Sequence, residues 1–375
     1  MNPTYVASLD KVASIGAKER AELARVTDLF AFRSNSYYLS LIDWEDTKDP
    51  IRRLIIPSLE ELEPWGHLDP SSEHRYTRAP GLQHKYRETA LLLVSDLCGG
   101  LCRYCFRKRL FIRDAREVNK DISEGLAYIR DHPEINNVLL TGGDPLTLKT
   151  DQLLDTVRQL RDIDHVGIIR IGTKMLAYNP YRVINDPGLL DMIRKYSHDQ
   201  KRIYIMAQFN HPRELTDAAR QAVSLLQDAG AIIMNQTPLL RDVNDSPGVL
   251  AGLFNRLASI GVHPYYVFQC RPTTGNRPFA VPVEESYRIF EQARSVCSGL
   301  AKRARFVISH ATGKIEVVGK TGEFTYFKYN QAANPEDRGR FMVYKSNPDA
   351  YWFDDYTDLV DEGRVKGSSG PVQAA

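Results

Sequence analysis

Apolar and charged positions alternate along this chain in a pattern that predicts a parallel β-sheet covered by helices. Short, nearly continuous apolar runs, which a strand buried on both faces requires, recur through its middle part. They lie near residues 91–94, 138–140, 166–171, 203–206, 232–234 and 265–268. Amphipathic stretches with helical spacing alternate with them at 122–129, 153–160, 189–193, 218–226, 250–257 and 287–297. Six such units, followed by an apolar run at 306–308, predict an α/β fold, namely an open, partial (β/α)6 barrel of the TIM type.

The two ends of the chain have different patterns. The first 80 residues are mainly helical in character, with the clearest helix at 17–32 and a Pro- and Glu-rich connector at 57–70. Near the other end, apolar residues at 314–319 and 323–327 flank a turn and predict a β-hairpin. We therefore expect three parts, a helical N-terminal cap at 1–80, the barrel at 81–310, and a hairpin with a tail at 311–375.

Composition indicates a cytoplasmic protein. With 375 residues, 43% of them hydrophobic, the chain can bury a large core. Its formal net charge of +2 indicates no polyanionic partner, so no nucleic acid is expected. The N-terminus lacks a basic region followed by an apolar stretch, and no apolar run approaches the ~18 residues of a membrane helix, so neither secretion nor membrane insertion is expected. The tail at 367–370 is typical of disorder.

Three of the five cysteines, Cys98, Cys102 and Cys105, fall within eight residues. Three thiolates on one tight loop can hold three corners of a [4Fe-4S] cube and leave one iron without a protein ligand. An electron-transfer ferredoxin would need a fourth cysteine nearby. The others, Cys270 and Cys297, lie far downstream in or beside apolar segments, which predicts buried core thiols. The spacing therefore predicts an iron–sulfur cluster with an open iron.

Three other interpretations of these cysteines are open. Structural zinc normally has four Cys or His ligands in two short pairs, and the sequence shows no matching second pair. Unligated core thiols agree poorly with Gly99 and Gly100, which predict a loop. Disulfides would leave one of the five cysteines unpaired, and the clustered spacing suits a metal in a reducing compartment better.

The C-x3-C-x2-C spacing, with Tyr104 immediately before the last cysteine, resembles the signature of radical S-adenosylmethionine enzymes. Downstream, the motif TGGDP at 141–145 follows an apolar run and resembles that superfamily's glycine-rich turn, which contacts the methionine amino group. On its own, this motif is also consistent with a strand-to-helix loop capped by Asp144. The two motifs follow the first and second predicted strands, which places both at the C-terminal mouth of a barrel of the radical S-adenosylmethionine type.

Within the superfamily, the chain resembles the lysine 2,3-aminomutase family from about Asp49 to Tyr326. The segments that carry the resemblance are DPIRR at 49–53, PGLQHKY at 80–86, RIGT at 170–173, FNHP at 209–212, NQ at 235–236, LLRDVND at 239–245 and PYYVFQC at 264–270. The resemblance implies an open iron that binds S-adenosylmethionine, a one-electron donor such as flavodoxin or ferredoxin, and a 5′-deoxyadenosyl radical that abstracts hydrogen from a small molecule.

The resemblance also assigns cofactor contacts by position. Gly142, Gly143 and Asp144 correspond to residues that hold the methionine end of S-adenosylmethionine. Further contacts to this cofactor are expected from Gly172, Gln208 and Gln236. The family often has histidine at the position of Gln208.

Two arginines are candidates for substrate binding. Arg107, two residues after the last cysteine, corresponds to a family arginine that pairs with the substrate carboxylate. Arg271 stands where lysine-specific members carry an aspartate for the distant ammonium, and Ser309 replaces a second acidic partner. This inversion of charge makes free lysine a poor expectation and favours an anionic or neutral side chain such as that of glutamate. The alternatives are that Arg107 is one of several solvated cations and that Arg271 points outward into solvent.

Lys314 decides whether pyridoxal phosphate is expected. The family tethers this cofactor through a lysine in a glycine-rich loop that follows the strand at 306–308. One alignment matches Lys314 to that lysine. The other, which we prefer, matches 314–322 without gaps to the family's terminal hairpin and leaves the segment with the cofactor lysine absent. Because a nitrogen migration needs an aromatic cofactor to stabilise the radical, loss of the lysine would argue against a simple aminomutase.

The sequence leaves three functions open. The first is a pyridoxal phosphate-dependent aminomutase that acts on an amino acid other than lysine. The second is a pyridoxal-independent radical enzyme, such as a dehydrogenase, epimerase or skeletal mutase, and the third is a non-catalytic iron–sulfur protein. No zinc is expected, because the chain lacks the cysteine-rich tail through which prototypes bind zinc between subunits. Any homo-oligomer is expected to use the cap or residues 351–353.

Overall fold

A single large sheet organises the molecule. The structure, a computed structural model, describes residues 2–112 and 117–364, so the predicted disorder at 367–370 lies outside the described residues. Thirteen strands follow one another across this sheet in chain order, and a two-stranded ribbon lies apart from it. No helix in the described ranges has the length and apolar content needed to cross a membrane.

The N-terminal part contains short elements joined by irregular chain. They are β1 (Tyr5–Val6), α1 (Ala17–Thr27), β2 (Ser34–Asn35), α2 (Ser36–Leu39) and α3 (Pro50–Ile55), followed by 3₁₀ turns at Leu59–Leu62 and Glu73–Tyr76. Helix α1 ends five residues before the predicted end at residue 32. The reason is that Phe30 and Phe32 are buried on either side of exposed Ala31, and this two-residue period belongs to extended chain.

Seven parallel strands form the middle of the large sheet, after two antiparallel strands, β3 (Thr77–Ala79) and β4 (Leu82–Tyr86). The parallel strands are β5 (Thr89–Ser95), β6 (Asn137–Gly142), β7 (Ile168–Thr173), β8 (Arg202–Ala207), β9 (Ile232–Pro238), β10 (His263–Phe268) and β11 (Arg305–His310). The helices between them are α4 (Ser123–Asp131), α5 (Thr150–Arg161), α6 (Met175–Tyr178), α7 (Tyr181–Ile184), α8 (Pro187–Tyr196), α9 (Asp217–Asp228), α10 (Pro247–Ser259) and α11 (Val283–Ser295). The predicted series of six βα units and a seventh strand is confirmed.

The sheet does not close on itself. Among the described residues, β5 and β11 pair not with each other but with the antiparallel strands β4 and β12 (Gly313–Lys320). Beyond β12 follow β13 (Phe324–Ala332), β14 (Phe341–Lys345) and β15 (Leu359–Gly363), all antiparallel. The predicted hairpin is thus the pair β12 and β13. Because one sheet runs through the predicted barrel and hairpin, the division into three domains stays a prediction.

The parallel strands present two different faces. On β6, Val138 and Leu140 are fully buried in the apolar layer beneath the helices, whereas Leu139 between them faces a central cavity. On β7, Ile169 and Ile171 belong to the same layer, and Arg170 faces the cavity. Since side chains alternate across a strand, the helix-covered face sets the fold and the other face is free to carry chemistry.

Two predictions about buried groups have different outcomes. Cys270 and Cys297 are buried free thiols, as predicted. Trp352, by contrast, is 5% exposed and packs in the apolar cluster of its own chain. The expectation that residues 351–353 offer an oligomer surface is therefore wrong for Trp352, because its indole is already covered by its own chain.

Candidate active site

A cavity of about 290 Å³ opens where the parallel strands end. The residues that the sequence indicates for cofactor or substrate binding all line it: Cys98, Cys102, Cys105, Arg107, Gly142, Gly143, Asp144, Gly172, Gln208, Gln236, Arg271 and Lys314. We distinguish two sets of side chains. The cysteine group comprises the three cysteines with the turn at 142–144, and the basic group comprises Lys85, Arg170, Arg271 and Lys314.

The loop that carries the cysteines is held by a backbone hydrogen bond and by close packing against α6. Its amide at Arg103 donates to the carbonyl of Leu54 at 3.0 Å. A Cβ at Gly99 would lie 2.4 Å from the sulfur of Met175, and one at Gly100 would lie 3.1 Å from the ring of Tyr178. A larger residue at either position would require the side chains of α6 to shift, so the two glycines favour close packing of the loop on α6.

The cysteine group has the donors that an iron–sulfur cluster requires. All three thiols are free and line one cavity. Burial raises the pKa of Cys98 and raises that of Cys105 to about 11, so thiolates here need positive charge nearby, which bound iron would supply. Within the described ranges, no three His, Cys, Asp or Glu side chains converge on the position of a single ion. The donor set itself, three thiols that line one cavity, fits a cluster in which the fourth iron has no protein ligand.

The glycine turn is locked to the segment that precedes Cys98. The amide of Gly143 donates to the carbonyl of Ser95 at 2.6 Å, and that of Asp144 donates to the carbonyl of Leu97 at 2.6 Å. Gly142 has a φ of +113°, and a Cβ at Gly143 would lie 2.2 Å from the carbonyl oxygen of Leu97. The turn and the cysteine loop therefore form one rigid unit.

The carboxylate of Asp144 is already bonded to the protein. It accepts hydrogen bonds from the hydroxyl of Thr173 at 2.8 Å and from the amides of Lys174 at 2.7 Å and Leu146 at 3.0 Å. Burial raises its pKa to about 6. Asp144 thus connects the ends of β6 and β7 and fixes the shape of the turn.

Gln208 contacts the cysteine loop. Its amide donates to the hydroxyl of Tyr104 at 2.8 Å, and Asn210 donates to the same hydroxyl. Gly172 differs from the glycines of the turn, since a Cβ there would make only ordinary contacts, the nearest at 3.5 Å from Leu139. Protein packing therefore does not require glycine at position 172.

Arg107 is buried, and its alternative interpretation as a solvated cation is wrong. Its Nε and Nη2 donate to the two carboxylate oxygens of Glu73 at 3.0 and 3.1 Å, and its Nη1 donates to the hydroxyl of Thr141 at 2.9 Å. Arg109 donates to the same carboxylate at 2.7 Å. No role was predicted for Glu73, because nothing in its local sequence pattern distinguishes it from the other acids of the cap.

Arg271 points into the cavity, so the outward alternative is also wrong. Its Nη2 donates to the hydroxyl of Ser309 at 2.9 Å, its guanidinium lies 3.7 Å from the ring centre of Phe106, and its Nη1 lies 3.6 Å from Glu73. Burial lowers its pKa to about 10. The two positions at which the charge pattern is inverted are thus in direct contact.

Lys314 enters the same part of the cavity. It pairs with Ser309 across β12 and β11, its ammonium donates to Gln331 at 3.1 Å, and it lies 5.0 Å from the ring centre of Tyr266. Burial, with further contributions from Arg170 and other nearby cations, lowers its pKa to about 7. Lys314 therefore lies in the hairpin, as the preferred alignment predicts, and still reaches the cavity.

Lys85 and Arg170, for which no role was predicted, complete the basic group. Lys85 donates to the carbonyl of His310 at 2.5 Å, and burial lowers its pKa to about 7. Arg170 donates to the amide oxygen of Asn137 at 2.8 Å. Among the described residues, neither of them nor Lys314 has a carboxylate at ion-pair distance. Both lie in segments that carry the family resemblance, PGLQHKY and RIGT, and this position in the sequence could have identified them as candidate site residues.

Comparison with known proteins agrees with this geometry. The sequence profile of the Radical SAM superfamily matches residues 92–247, the stretch that contains the cysteine loop and the glycine turn. A protein of Aquifex aeolicus named "Putative L-lysine 2,3-aminomutase" is 56% identical over 359 residues, 96% of each chain. The class is thus a radical S-adenosylmethionine enzyme. The chain belongs to the lysine 2,3-aminomutase family of that superfamily.

More distant relatives include enzymes named for two different substrates. The L-lysine 2,3-aminomutase of Acetoanaerobium sticklandii is 36% identical over 297 residues, 78% of this chain and 70% of that protein. The glutamate 2,3-aminomutase of Clostridioides difficile is 36% identical over 300 residues, 80% of this chain and 70% of that protein. A solved radical SAM methyltransferase from Sphaerobacter thermophilus is 18% identical to this chain, with a TM-score of 0.39. The aligned region covers 60% of this chain and 68% of the methyltransferase. Family membership implies a [4Fe-4S] cluster, S-adenosylmethionine and an external electron donor.

Proposed function

We propose that this enzyme is an aminomutase that acts on an amino acid with a carboxylate-bearing side chain, glutamate being the first candidate. The reaction is an isomerisation in which the amino group moves to the neighbouring carbon and a hydrogen moves the opposite way, so no other reactant is consumed. The observation that carries the proposal is the contact of Arg271 with Ser309 inside the cavity. A guanidinium with a hydroxyl beside it suits a carboxylate and repels an ammonium.

The charge balance of the basic group supports this substrate class. Arg170 has no carboxylate at ion-pair distance within the described ranges, and Arg271 shares its one acid, Glu73, with two other arginines. A second ammonium would add to this uncompensated positive charge, whereas an anion would offset it. Overall similarity does not distinguish the two substrates, since the lysine and glutamate relatives are both 36% identical to this chain. The side chains of the cavity therefore carry the argument.

We assign Cys98, Cys102 and Cys105 as the ligands of the cluster. When bound, the cluster supplies the electron that cleaves S-adenosylmethionine and yields the hydrogen-abstracting radical. The glycine turn offers backbone groups to the methionine end, and Asp144 holds that turn in shape. Gly172 leaves room that protein packing does not need, which suits close approach of a cofactor. Gln208 and Gln236 remain proposed contacts on neighbouring strands.

Lys314 is the residue that would hold pyridoxal phosphate. An amine must be neutral to react with a carbonyl, and its lowered pKa meets that condition near neutral pH. The neighbouring cations Lys85 and Arg170 suit an anionic cofactor. When bound, pyridoxal phosphate supplies the aromatic system that stabilises a radical during nitrogen migration. The competing function, a pyridoxal-independent radical enzyme, is favoured by one observation, namely that Lys314 lies in a regular strand and bonds Gln331.

Borohydride reduction of the anaerobically reconstituted protein with pyridoxal phosphate tests this choice. Peptide mass analysis should show a stoichiometric reduced adduct on Lys314. Lys320 of the same strand, which pairs with Glu284 outside the cavity, is the internal control and should stay unmodified. Conversion of glutamate but not lysine to the isomeric β-amino acid would support the substrate assignment. Absence of the Lys314 adduct would favour the pyridoxal-independent enzyme.

A further inference from the structure

Glu73 occupies the position in which a bound carboxylate would be expected. It belongs to the 3₁₀ turn Glu73–Tyr76 of the N-terminal part, yet its side chain lines the cavity and is 12% exposed. Asp69 holds this turn in place by accepting the amide of Glu73 at 2.9 Å and that of His74 at 3.1 Å. The position of Glu73 is therefore built into the fold.

The contacts of this carboxylate are those of a ligand. Both of its oxygens accept from Arg107, at 3.0 and 3.1 Å, in a two-bond arrangement typical of an arginine with a carboxylate. One oxygen also lies 3.6 Å from Nη1 of Arg271. Thr141 takes the remaining nitrogen of Arg107. A substrate carboxylate cannot form the same pair of bonds to Arg107 while Glu73 holds them.

Glu73 is charged in this environment. Although burial opposes ionisation, the positive charges of Arg107, Arg271 and Arg109 hold the pKa of Glu73 well below its usual range. Within the described ranges, Arg107 and Arg271 have no other carboxylate at ion-pair distance. Arg109 differs, because it also binds Glu117.

We propose that Glu73 is an internal counter-ion that competes with substrate for Arg107 and Arg271 and thereby sets how tightly the cavity holds carboxylates. It is a specificity-determining residue, since a ligand must offer enough carboxylate contact to replace it. The inference rests on the proposed function only in taking the substrate to be an anion. A cavity with two free arginines would retain many metabolite carboxylates. Because Glu73 occupies these arginines, each such carboxylate must bind strongly enough to displace it.

The test is the affinity of the Glu73→Gln variant for two probes, L-glutamate and succinate, measured by calorimetry on the reconstituted holoenzyme. Glutamine keeps the volume and removes the charge, so both probes should bind at least about tenfold more tightly than to the unmodified enzyme, which corresponds to ~1.4 kcal/mol. Glu117→Gln is the matched control. It removes the same charge from a neighbour of Arg109 that does not line the cavity, and its affinities should stay within about twofold.

A second variant covers the case in which Glu73→Gln does not fold, as judged by its thermal unfolding. Glu73→Asp keeps the charge but shortens the side chain, so it cannot reach both arginines, and binding should tighten by at least about threefold. Unchanged or weaker binding of both probes by the variant that folds, or no detectable binding to it, would overturn the inference.

Succinate separates this inference from the proposed function, because it has no amino group to move. Tighter succinate binding without any turnover of glutamate would support the role of Glu73 and reject glutamate as the substrate. Turnover of glutamate, with unchanged affinity of the Glu73→Gln variant for both probes, would support glutamate as the substrate and reject the role of Glu73.

Discussion

The cysteine group and the basic group share one cavity but are built in different ways. In the cysteine group, backbone meets backbone so closely that a single added carbon at Gly143 would lie 2.2 Å from the carbonyl oxygen of Leu97. In the basic group, Arg271 reaches Ser309 on strand β11 through a side-chain hydrogen bond, and Lys314 extends into the same cavity from the neighbouring strand β12. We infer that radical generation depends on backbone shape, whereas substrate choice depends on side chains that can be exchanged without changing the fold.

Loss of a cluster ligand should have the largest effect. Cys102→Ala removes one of three thiolates, and we expect loss of the cluster and no detectable cleavage of S-adenosylmethionine with dithionite. Iron content and 5′-deoxyadenosine formation are the measurements. Cys297→Ala, at a buried thiol that lies outside the cavity, is the control and should retain both. Retained cleavage by Cys102→Ala would contradict the assignment of the cysteine group.

Glycine substitutions test whether backbone shape governs this group. Gly143→Ala should destabilise the fold by about 2 kcal/mol or more, because backbone atoms on both sides must move apart. Gly172→Ala should fold normally, since its nearest contact would be at 3.5 Å, but should bind S-adenosylmethionine more weakly. Thermal unfolding and equilibrium dialysis give the two readouts. Gly322→Ala, which would meet nothing within 4 Å, is the reference.

Reversal of the charge in the basic group should change selectivity without affecting radical generation. Arg271→Asp should weaken glutamate binding by at least about tenfold, because the substrate carboxylate then faces a like charge. The double variant with Ser309→Asp should accept lysine better than the unmodified enzyme does. The KM values for both amino acids measure this, and S-adenosylmethionine cleavage without substrate should stay unchanged. An unaltered preference would place the recognition of the side chain elsewhere.

In the basic group, the reactivity of Lys314 should depend on pH near neutrality. Its pKa is lowered from 10.5 to about 7, so the amine is mostly protonated below pH 7 and mostly neutral above it. Adduct formation with pyridoxal phosphate should therefore rise as pH increases through about 7 and level off above it. The yield of the reduced peptide at each pH is the measurement. A rise only near the ordinary pKa of lysine would show that the side chain is not buried.

The sequence predicted the elements whose signal is local and missed the groups that meet only in three dimensions. The apolar runs predicted β5 to β11, because a strand buried on both faces leaves a continuous pattern. The cysteine spacing and the TGGDP motif located one side of the cavity for the same reason. Glu73 escaped notice, because its partners Arg107 and Arg271 lie 34 and 198 positions further along the chain. Even Arg107, whose role was predicted, has contacts that no local pattern shows.

Tyr178 belongs to the packing around the cysteine loop and also contacts a proposed cluster ligand. Of the substitutions considered, Tyr178→Phe should have the smallest effect. Its hydroxyl lies 2.9 Å from the sulfur of Cys102, and its ring packs against Gly100 and against Tyr38. A hydrogen bond to a ligand sulfur stabilises the reduced, more negative cluster, so Tyr178→Phe should lower the reduction potential while leaving iron content unchanged. Potentiometric titration followed by electron paramagnetic resonance measures this. Tyr37→Phe, which removes a hydroxyl bonded to Thr216, is the control. An unchanged potential would mean that Tyr178 serves the cysteine loop through packing alone.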